Sequence, residues 1–293
     1  MIGIIISQIR VKQWIKNLLI FAPLFFSFKL FISEDLFSSI ILFLTFSFSA
    51  SFIYILNDII DLEKDKLHPR KRNRPLPSGK LSKFNAIIIA SILIALSISI
   101  TYLYLNTNTL FIILAYVLLN LLYTLKLKHI SIIDALCIAI GFELRIFAGC
   151  FAIGVLPSHF ILMVTLFLAL MLAFIKRKGE LNSLNDESAS HRKSLENYTV
   201  SLLDKFIFSS ASISIFAYSL YTIDEHVIAN VGNDYLKYSL IFVIYGIYRF
   251  IQLTEINIYN KEGDPTTLIY KDRPIQLCLL LWVLYIAFCF YVK

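Results

Sequence analysis

The sequence predicts an all-α integral membrane protein that folds as a bundle of nine transmembrane helices, and two observations support this prediction. Of the 293 residues, 58% are hydrophobic and 16% are charged, which is far more apolar than the core of a water-soluble domain requires. The apolar residues also fall into stretches of about 20, the length with which an α-helix crosses the hydrocarbon core of a bilayer. Nine such stretches can be drawn, near residues 15–32, 36–56, 84–105, 109–126, 132–153, 158–176, 203–222, 236–256 and 275–292.

The charges between these stretches predict the orientation in the membrane. Of 27 Lys and Arg residues, 23 fall in the amino-terminal segment and in alternate loops, all on one predicted side. The opposite side holds Lys29, Lys237 and Lys293, and Arg145 lies inside a stretch. Cytoplasmic loops of membrane proteins collect Lys and Arg. We therefore predict a multi-pass protein of the inner (cytoplasmic) membrane, with its amino terminus and its candidate chemistry on the cytoplasmic side and its carboxyl terminus outside.

No repeat or linker divides the chain, so we predict a single membrane domain over residues 1–293. The longest polar loops, near 57–83, 177–202 and 257–274, all fall on the predicted cytoplasmic side. No cleavable signal peptide is expected, because the basic RVKQWIK follows the first short apolar run. The four cysteines lie in apolar runs without CxxC or Cys/His spacing, which argues against a zinc or redox site.

Acidic residues at helical spacing follow the second stretch. The segment NDIIDLEKDKLHPRKRNRP, residues 57–75, carries four acidic and seven basic side chains. Asn57, Asp61 and Asp65 are spaced four residues apart and Asp58 lies three before Asp61, so all four would project from one stripe of a helix. Proteins usually hold Mg²⁺ through one or two carboxylates together with substrate phosphates. The stripe thus predicts a site for a magnesium-bound diphosphate, and the basic residues are expected to bind phosphate oxygens that the metal does not reach.

The simpler alternative is a solvated helix end whose acidic residues pair with Lys64, Lys66 and the arginines downstream. The position of Asp58 and Asp61 favours a functional site, because both follow the apolar run SFIYIL, where carboxylates are costly. Three prolines and a glycine in HPRKRNRPLPSG exclude a continuous helix beyond the acidic residues. A basic loop is therefore predicted beside an acidic helix end.

The segment RVKQWIKN, residues 10–17, precedes the first stretch and has two interpretations. In the first, it is a topological anchor, with Trp14 at the depth where indole rings sit in the membrane interface. In the second, Lys12, Lys16 or Asn17 faces a cavity and contacts phosphate. Lys12 and Lys16 are four residues apart and would share one face of a helix.

Polar residues also occur in the fifth stretch. Ser131 and Asp134 have the spacing of a capping box at the start of a helix. Glu143 and Arg145 lie at hydrocarbon depth, two residues apart and therefore on different helix faces, so they cannot easily neutralise each other. An ionisable residue inside a membrane is expected to face a cavity or a partner and is a functional candidate. The structural alternative is an interhelical ion pair with another span.

Two further polar segments lie in the carboxyl-terminal half. KRKGEL, residues 176–181, ends the sixth stretch with three cations, which suit the carboxyl terminus of a helix. GDPTTLIYKDRPIQ, residues 263–276, carries Asp264, Asp272 and Arg273. This segment is interpreted either as a solvated loop or as a loop that closes over a ligand.

Five separate blocks of the sequence resemble, in the same order along the chain, the UbiA-type membrane prenyltransferases and, within that superfamily, the branch of decaprenyl-phosphate phosphoribosyltransferases. The blocks are RVKQWIKN, NDIIDLEKDKLHPRKRNRP, LKLKHISIIDALCIAIGFELRIFAG (125–149), KRKGEL and GDPTTLIYKDRPIQ. The resemblance implies a UbiA-like helical bundle with a cytoplasmic active-site cavity. It also implies transfer of a 5-phosphoribosyl group from phosphoribosyl pyrophosphate to a polyprenyl phosphate, with release of diphosphate.

The residues and the resemblance together give a candidate site. Mg²⁺ is the expected cofactor, held by the catalytic residues Asp58, Asp61 and Asp65. Substrate binding is predicted for side chains that offer a cation, an amide or a carboxylate to the donor or the acceptor: Lys12, Lys16, Asn17, Asn57, Arg70, Lys71, Arg74, Lys126, Asp134, Arg145, Lys176 and Arg177. The resemblance leaves a metal or ribose role open for Asp134. We expect a membrane environment and no nucleic-acid partner, and a homo-oligomer stays open.

One departure from the family pattern and two alternative functions accompany this prediction. Many aromatic prenyltransferases of the superfamily carry a second D-x-x-x-D where this chain has Glu180, Asn182 and NDE at 185–187. The departure counts against a prenyl diphosphate held between two acidic motifs. The nearer alternative is nevertheless a prenyltransferase that joins a prenyl group to an aromatic or other acceptor. The more distant one is a lipid-phosphate transporter, which would need no carboxylate cluster and would be independent of magnesium.

Overall fold

The computed structural model describes residues 2–67, 71–183, 193–256, 269 and 271–291, and within these ranges the chain is helical and contains no β-strand. The predicted all-α class is therefore confirmed for the described residues. The chain divides into two compact units, of which the first reaches to Pro157 and the second begins at Ser158. The single membrane domain expected from the sequence stays a prediction.

In the first unit, α-helices alternate with short 3₁₀ segments. The α-helices are α1 (Ile2–Gln8), α2 (Ala22–Phe26), α3 (Ser33–Ile60), α4 (Leu62–Leu67), α5 (Lys83–Tyr104), α6 (Thr107–Leu125) and α7 (Ile133–Ala152). The 3₁₀ segments are Val11–Phe21, Lys71–Asn73 and Leu127–His129. Helix α3 packs against α5, α6 packs against α7, and the Val11–Phe21 segment lies against both α3 and α7.

The described part of the second unit is also helical. Its α-helices are α8 (His159–Ser183), α9 (Val200–Ile223), α10 (Glu225–Val231), α11 (Leu240–Glu255) and α12 (Arg273–Tyr291), with 3₁₀ turns at Lys193–Asn197 and Tyr235–Ser239. Helix α8 packs against α9, and α11 packs against α12 and α9. These contacts make the second unit a helical bundle of its own.

Eight helical segments in the described ranges are long and apolar enough to cross a membrane, as judged by length and composition. They correspond to all of the predicted stretches except the first. That stretch, 15–32, is occupied by the 3₁₀ segment Val11–Phe21 and by the short helix α2, with Pro23 in its first turn. Proline lacks the N–H that a continuing α-helix requires, so a long helix does not form there. The predicted count of nine is therefore not confirmed.

Hydroxyl side chains join α3 to α5 in the first unit. Ser97 donates a hydrogen bond of 2.7 Å to the carbonyl oxygen of Thr45, and its hydroxyl lies 2.8 Å from that of Ser49. Thr45 and Ser49 of α3 and Ser97 of α5 are all fully buried. Lipid tails are as apolar as leucine, so close packing and such hydrogen bonds hold membrane helices together.

Helix α7 begins without the capping box that the sequence predicted. Its N-cap residue is Ile132, which provides no side-chain hydrogen bond, so Ser131 lies one position too early to cap the helix. Asp134 consequently lies in the second helical position, where it is fully buried. Ile132 has a φ of 68°, a conformation that is strained for a β-branched residue.

Candidate active site

Two buried carboxylates of the first unit share one arginine. The side chains of Asp58 and Asp65 are 2% and 4% exposed. Nη1 of Arg74 lies 2.9 Å from Oδ1 of Asp58 and 2.8 Å from Oδ2 of Asp65. Nζ of Lys71 lies 3.3 Å from the other oxygen of Asp65. The chain therefore folds its basic loop back over the acidic end of α3, and one guanidinium lies between the two acids.

The amino-terminal segment supplies further donors to Asp58. Nε2 of Gln8 donates a hydrogen bond of 3.0 Å to Oδ2, and Arg10 forms an ion pair with Oδ1. The guanidinium of Arg10 also lies 5.0 Å from the centre of the Tyr54 ring. Burial lowers the pKa of Arg10 from its usual value, and the negative charge of Asp58 opposes this effect. Asp58 thus accepts hydrogen bonds from Gln8, Arg10 and Arg74, as a buried carboxylate requires.

Asp61 has a different partner from the other two aspartates. It ends α3, where its backbone N–H bonds to the carbonyl oxygen of Asn57 at 2.9 Å. Nζ of Lys128 lies 2.8 and 3.0 Å from its two carboxylate oxygens. Lys128 is buried on the 3₁₀ turn between α6 and α7. The pair joins the acidic end of α3 to that turn.

The donor chemistry of this cluster fits Mg²⁺. Asp58 and Asp65 each place one oxygen against the same cationic nitrogen of Arg74, so the two carboxylates can share a cation. Among the described residues, no three His, Cys, Asp or Glu side chains are close enough together to form a complete metal site. Two carboxylates completed by phosphate oxygens and water are, however, the usual way in which proteins bind Mg²⁺. The geometry therefore places two of the three predicted ligands against one cation, while Asp61 pairs with Lys128.

The other predicted binding residues of the first unit are distributed over several of its elements. Lys12 is exposed and Lys16 is half-buried on the Val11–Phe21 segment, directly after Arg10. Lys126 is exposed two residues before Lys128. Asn57 is half-buried beside Asp58, and Asp134 is buried in the first turn of α7. Arg70 lies outside the described residues. The substrate roles of all these side chains stay predictions.

Arg145 and Asn17, which were both predicted to bind substrate, contact each other. Nε of Arg145 donates a hydrogen bond of 2.8 Å to Oδ1 of Asn17, and both side chains are buried. Arg145 therefore has a hydrogen-bonding partner in the amino-terminal segment, and no ion-pair partner of it is found in the described part of the chain. Glu143, two residues earlier, has a buried Oε1 without a hydrogen-bond partner among the described residues.

KRKGEL lies at the end of α8 in the second unit. Arg177 is fully buried and pairs with Glu180, while Lys178 pairs with both Asp204 of α9 and Glu255 of α11. Lys176 is half-buried. The acids closest to this segment are thus paired with its own cations, and the NDE sequence at 185–187 lies outside the described residues.

Reasoning from sequence did not single out Gln8, Arg10 or Lys128 as members of the candidate site. Gln8 carries no charge and precedes Lys12 and Lys16, which drew attention because they are cations four residues apart. Arg10 and Lys128 lie within segments that were singled out, but residue spacing does not reveal which cation meets which aspartate. Their partners are 48 and 67 residues away in the sequence, so only the tertiary fold joins them.

The comparison with protein families decides the classification. The model of the UbiA prenyltransferase family matches residues 18–268. The chain belongs to this family. The match covers α2 to α11 of the described helices and includes Asp58, Asp61 and Asp65, and it confirms the resemblance that the five sequence blocks indicated.

Relatives of known name support the same branch of the UbiA family. The decaprenyl-phosphate phosphoribosyltransferase of Corynebacterium glutamicum is 32% identical over 291 residues, which cover 98% of this chain and 86% of that protein. The protein of the same name from Mycolicibacterium smegmatis is 30% identical over 289 residues, covering 95% of this chain and 90% of that protein. The similarity to phosphoribosyltransferases of this family therefore extends over nearly the whole chain.

A solved structure supports the fold. A UbiA homolog from Archaeoglobus fulgidus, bound to DMAPP and Mg²⁺, superposes with a TM-score of 0.69 over 99% of each chain at 18% sequence identity. At this identity the likeness concerns the fold alone. It confirms the predicted UbiA-like helical architecture, while the multi-pass membrane class is supported by the family match and by the eight long apolar helices of the described residues.

Proposed function

We propose that this UbiA family member transfers the 5-phosphoribosyl group of phosphoribosyl pyrophosphate to a polyprenyl phosphate and releases diphosphate. The observation that carries the proposal is the pairing of buried acids with cations at one place: Asp58 and Asp65 share Arg74, with Arg10 and Lys71 beside them. The similarity to phosphoribosyltransferases along nearly the whole chain directs this chemistry to a phosphoribosyl donor.

The reaction exchanges one bond at ribose C1. The bond from C1 to the diphosphate oxygen breaks and the diphosphate leaves with the electron pair, while an oxygen of the polyprenyl phosphate forms the new bond to C1. The acceptor oxygen is already anionic near neutral pH, so no strong general base is needed. Positive charge develops on the ribose ring, and catalysis is expected to come from positioning and electrostatics.

Asp58 and Asp65, with Asp61 nearby, would hold Mg²⁺, which when bound neutralises the charge on the departing diphosphate. In this proposal Arg74 and Lys71 leave the carboxylates and bind phosphate oxygens, as guanidinium and ammonium groups do in other phosphate sites. Lys12, Lys16 and Lys126 provide further cations for the donor's 5-phosphate and the acceptor phosphate. The polyprenyl chain lies against the apolar helices, and the site faces the cytoplasm.

The direct test is transfer of label into lipid. Purified protein is incubated with Mg²⁺, ribose-labelled phosphoribosyl pyrophosphate and polyprenyl phosphate, and label is counted in the organic phase. We expect lipid-soluble label that disappears with EDTA. Consumption of a prenyl diphosphate with an aromatic acceptor, without transfer of ribose label, would instead assign the chain to the prenyltransferases of the family.

Asp61→Asn and the control Asp204→Asn form a matched pair of variants for this assay. Asp61→Asn is expected to leave membrane insertion intact and to abolish magnesium-dependent transfer, because the neutral amide cannot contribute charge to the metal site. Asp204→Asn, on α9 of the second unit, removes an acid of similar size that is 47% exposed and should retain transfer. Transfer at the unsubstituted rate by Asp61→Asn would refute the assigned role.

A further inference from the structure

The Val11–Phe21 segment has an unusual conformation. It forms a 3₁₀ helix of 11 residues, whereas 3₁₀ runs beyond three or four residues are uncommon because their hydrogen bonds are poorly aligned. A 3₁₀ helix has three residues per turn, so Trp14, Asn17 and Ile20 lie above one another on one face. A run of this length requires contacts outside itself to hold it.

Arg145 supplies one such contact from α7. Besides the hydrogen bond from Nε to Asn17, Nη1 donates to the carbonyl oxygen of Gly141 at 2.6 Å and Nη2 to the Tyr116 hydroxyl at 3.3 Å. Its guanidinium carbon lies 5.0 Å from the ring centres of Phe46 and Tyr116. The three guanidinium nitrogens therefore all contact protein acceptors, and the aromatic rings stabilise the charge by cation–π interaction.

Gly149 supplies the second contact, one helical turn after Arg145 and on the same face of α7. A Cβ atom at Gly149 would clash with the carbonyl oxygen of Ile20 and would lie 3.1 Å from Cγ of Pro23. The backbones thus approach so closely that a side chain does not fit. The face of α7 formed by Arg145 and Gly149 meets the face of the 3₁₀ segment formed by Asn17 and Ile20.

The amino-terminal end of this segment leads directly to the acidic cluster. Arg10 is the N-cap residue of the 3₁₀ segment and, with Gln8, contacts Asp58. An α-helix rises about 1.5 Å per residue and a 3₁₀ helix about 2.0 Å. If the seven residues from Asn17 back to Arg10 relaxed to an α-helix, Arg10 would move by about 3.5 Å relative to Asn17, which is enough to separate it from Asp58.

We propose that Arg145 is a positioning residue that, together with Gly149, holds the Val11–Phe21 segment in its 3₁₀ conformation and thereby keeps Gln8 and Arg10 on Asp58. The sequence-based prediction that Arg145 itself binds phosphate stays untested, and the contacts of its guanidinium favour the indirect role. The expected effect of Arg145 on catalysis rests on the proposed function, whereas its expected effect on the conformation of the Val11–Phe21 segment does not depend on that function.

Trp14 reports the conformation of the segment without any substrate. Its Nε1 donates a hydrogen bond of 3.0 Å to Ser51, and its ring packs edge-on against Phe43 and Phe48 of α3. The chain has two tryptophans, so Trp282→Phe leaves Trp14 as the single indole fluorophore. In this background, acrylamide quenching and the emission maximum measure how well Trp14 is protected.

The experiment compares Arg145→Met and Gly149→Ala with the control Gly141→Ala. The control lies on the same helix, but its Cβ would meet Nη1 of Arg145 at 3.8 Å, an ordinary contact distance. We expect stronger quenching and a red-shifted emission of Trp14 in the first two variants, and no change in the control. If Arg145→Met cannot be purified, Arg145→Lys tests the same expectation, because it keeps the charge but not the three-nitrogen contact set.

Kinetics then separate positioning from direct contact. The variants that expose Trp14 are expected to raise KM for phosphoribosyl pyrophosphate by about 10- to 100-fold, because a misplacement of binding groups by even about 1 Å can cause a loss of this order. KM for polyprenyl phosphate is expected to stay unchanged. Unchanged protection of Trp14 in both Arg145→Met and Gly149→Ala would overturn the proposal, whatever happens to activity. If the two variants expose Trp14 but the unsubstituted protein itself never transfers ribose, the positioning role of Arg145 is retained and the proposed function is refuted.

Discussion

The ion pairs of the two units differ in burial and in the number of partners. In the first unit, Asp58 and Asp65 are nearly inaccessible and accept several donors each, among them the shared Arg74. In the second unit, Lys178 is the buried member of its cluster, while its partners Asp204 and Glu255 are 47% and 56% exposed. Removing one partner of a buried pair leaves a charge without compensation, whereas an exposed carboxylate is solvated by water.

This difference has a functional meaning. A protein stabilises buried carboxylates at the end of a membrane helix only at a cost in desolvation, so such groups mark sites where charge is used. The first unit has this arrangement in residues 57–75, one of the five blocks that resemble the UbiA family. The second unit lacks a D-x-x-x-D sequence at KRKGEL, and its exposed acids neutralise the segment's own lysine. We therefore expect the chemistry to depend far more on the acids of the first unit.

The largest expected effect comes from removing a buried charge at the cluster. Asp58→Asn keeps the size of the side chain but lowers the negative charge that would hold Mg²⁺, and it weakens the attraction for Arg10 and Arg74. Transfer of ribose label should fall by at least about 100-fold. Glu255→Gln in the second unit serves as the matched control and should stay within about threefold of the unsubstituted rate. Equal losses in the two variants would remove the distinction between the units.

A smaller effect is expected on stability when the shared arginine is removed. Arg74→Gln leaves Asp58 with Gln8 and Arg10 but deprives it and Asp65 of their common cation. In EDTA the free energy of unfolding should fall by about 3 kcal/mol, at the lower end for breaking a buried ion pair. Thermal unfolding in detergent, followed by Trp14 fluorescence in the Trp282→Phe background, measures the loss.

Adding Mg²⁺ tests whether a metal ion can take the place of the Arg74 guanidinium. If a metal can replace the guanidinium between the two carboxylates, Mg²⁺ should raise the unfolding temperature of Arg74→Gln more than that of the unsubstituted protein, because binding to the folded state stabilises it. Ca²⁺ provides a control of the same charge but different size and coordination. A variant that Mg²⁺ does not stabilise would show that Arg74 has a purely structural role and that Asp58 and Asp65 do not share a metal.

Local periodicity explains which features could be predicted from the sequence. The helical stretches and the acidic stripe depend on residues within a few turns of one another, and apolar length and three- to four-residue spacing report them. The 3₁₀ conformation of Val11–Phe21 was missed because hydrophobicity does not distinguish it from an α-helix. The contacts of Asp61 with Lys128 and of Arg145 with Asn17 were missed because each joins residues more than 60 positions apart. Spacing indicates the face of a helix but does not identify its neighbour.

The smallest expected effect concerns an ion pair at the start of α12. Asp272 accepts a hydrogen bond of 2.9 Å from Arg249 and another of 2.9 Å from the backbone N–H of Ile275. The hydrogen bond from Arg249 is the main cause that lowers the pKa of Asp272 below its usual value. A carboxylate with a lowered pKa in the folded state contributes stability above its unfolded pKa and loses this contribution as the pH falls through its folded pKa.

Arg249→Gln should therefore lower the unfolding temperature slightly at neutral pH. The difference from the unsubstituted protein should begin to shrink as the pH falls below the usual pKa of aspartate, and it should vanish once the pH is below the lowered folded pKa of Asp272. The shift should be smaller than that of Arg74→Gln, because Arg249 pairs with one carboxylate that is 12% exposed, whereas Arg74 pairs with two carboxylates that are 2% and 4% exposed. Measuring the unfolding temperatures of both variants across the same pH series tests the comparison directly. A loss in Arg249→Gln as large as that in Arg74→Gln would mean that burial does not govern the strength of these pairs.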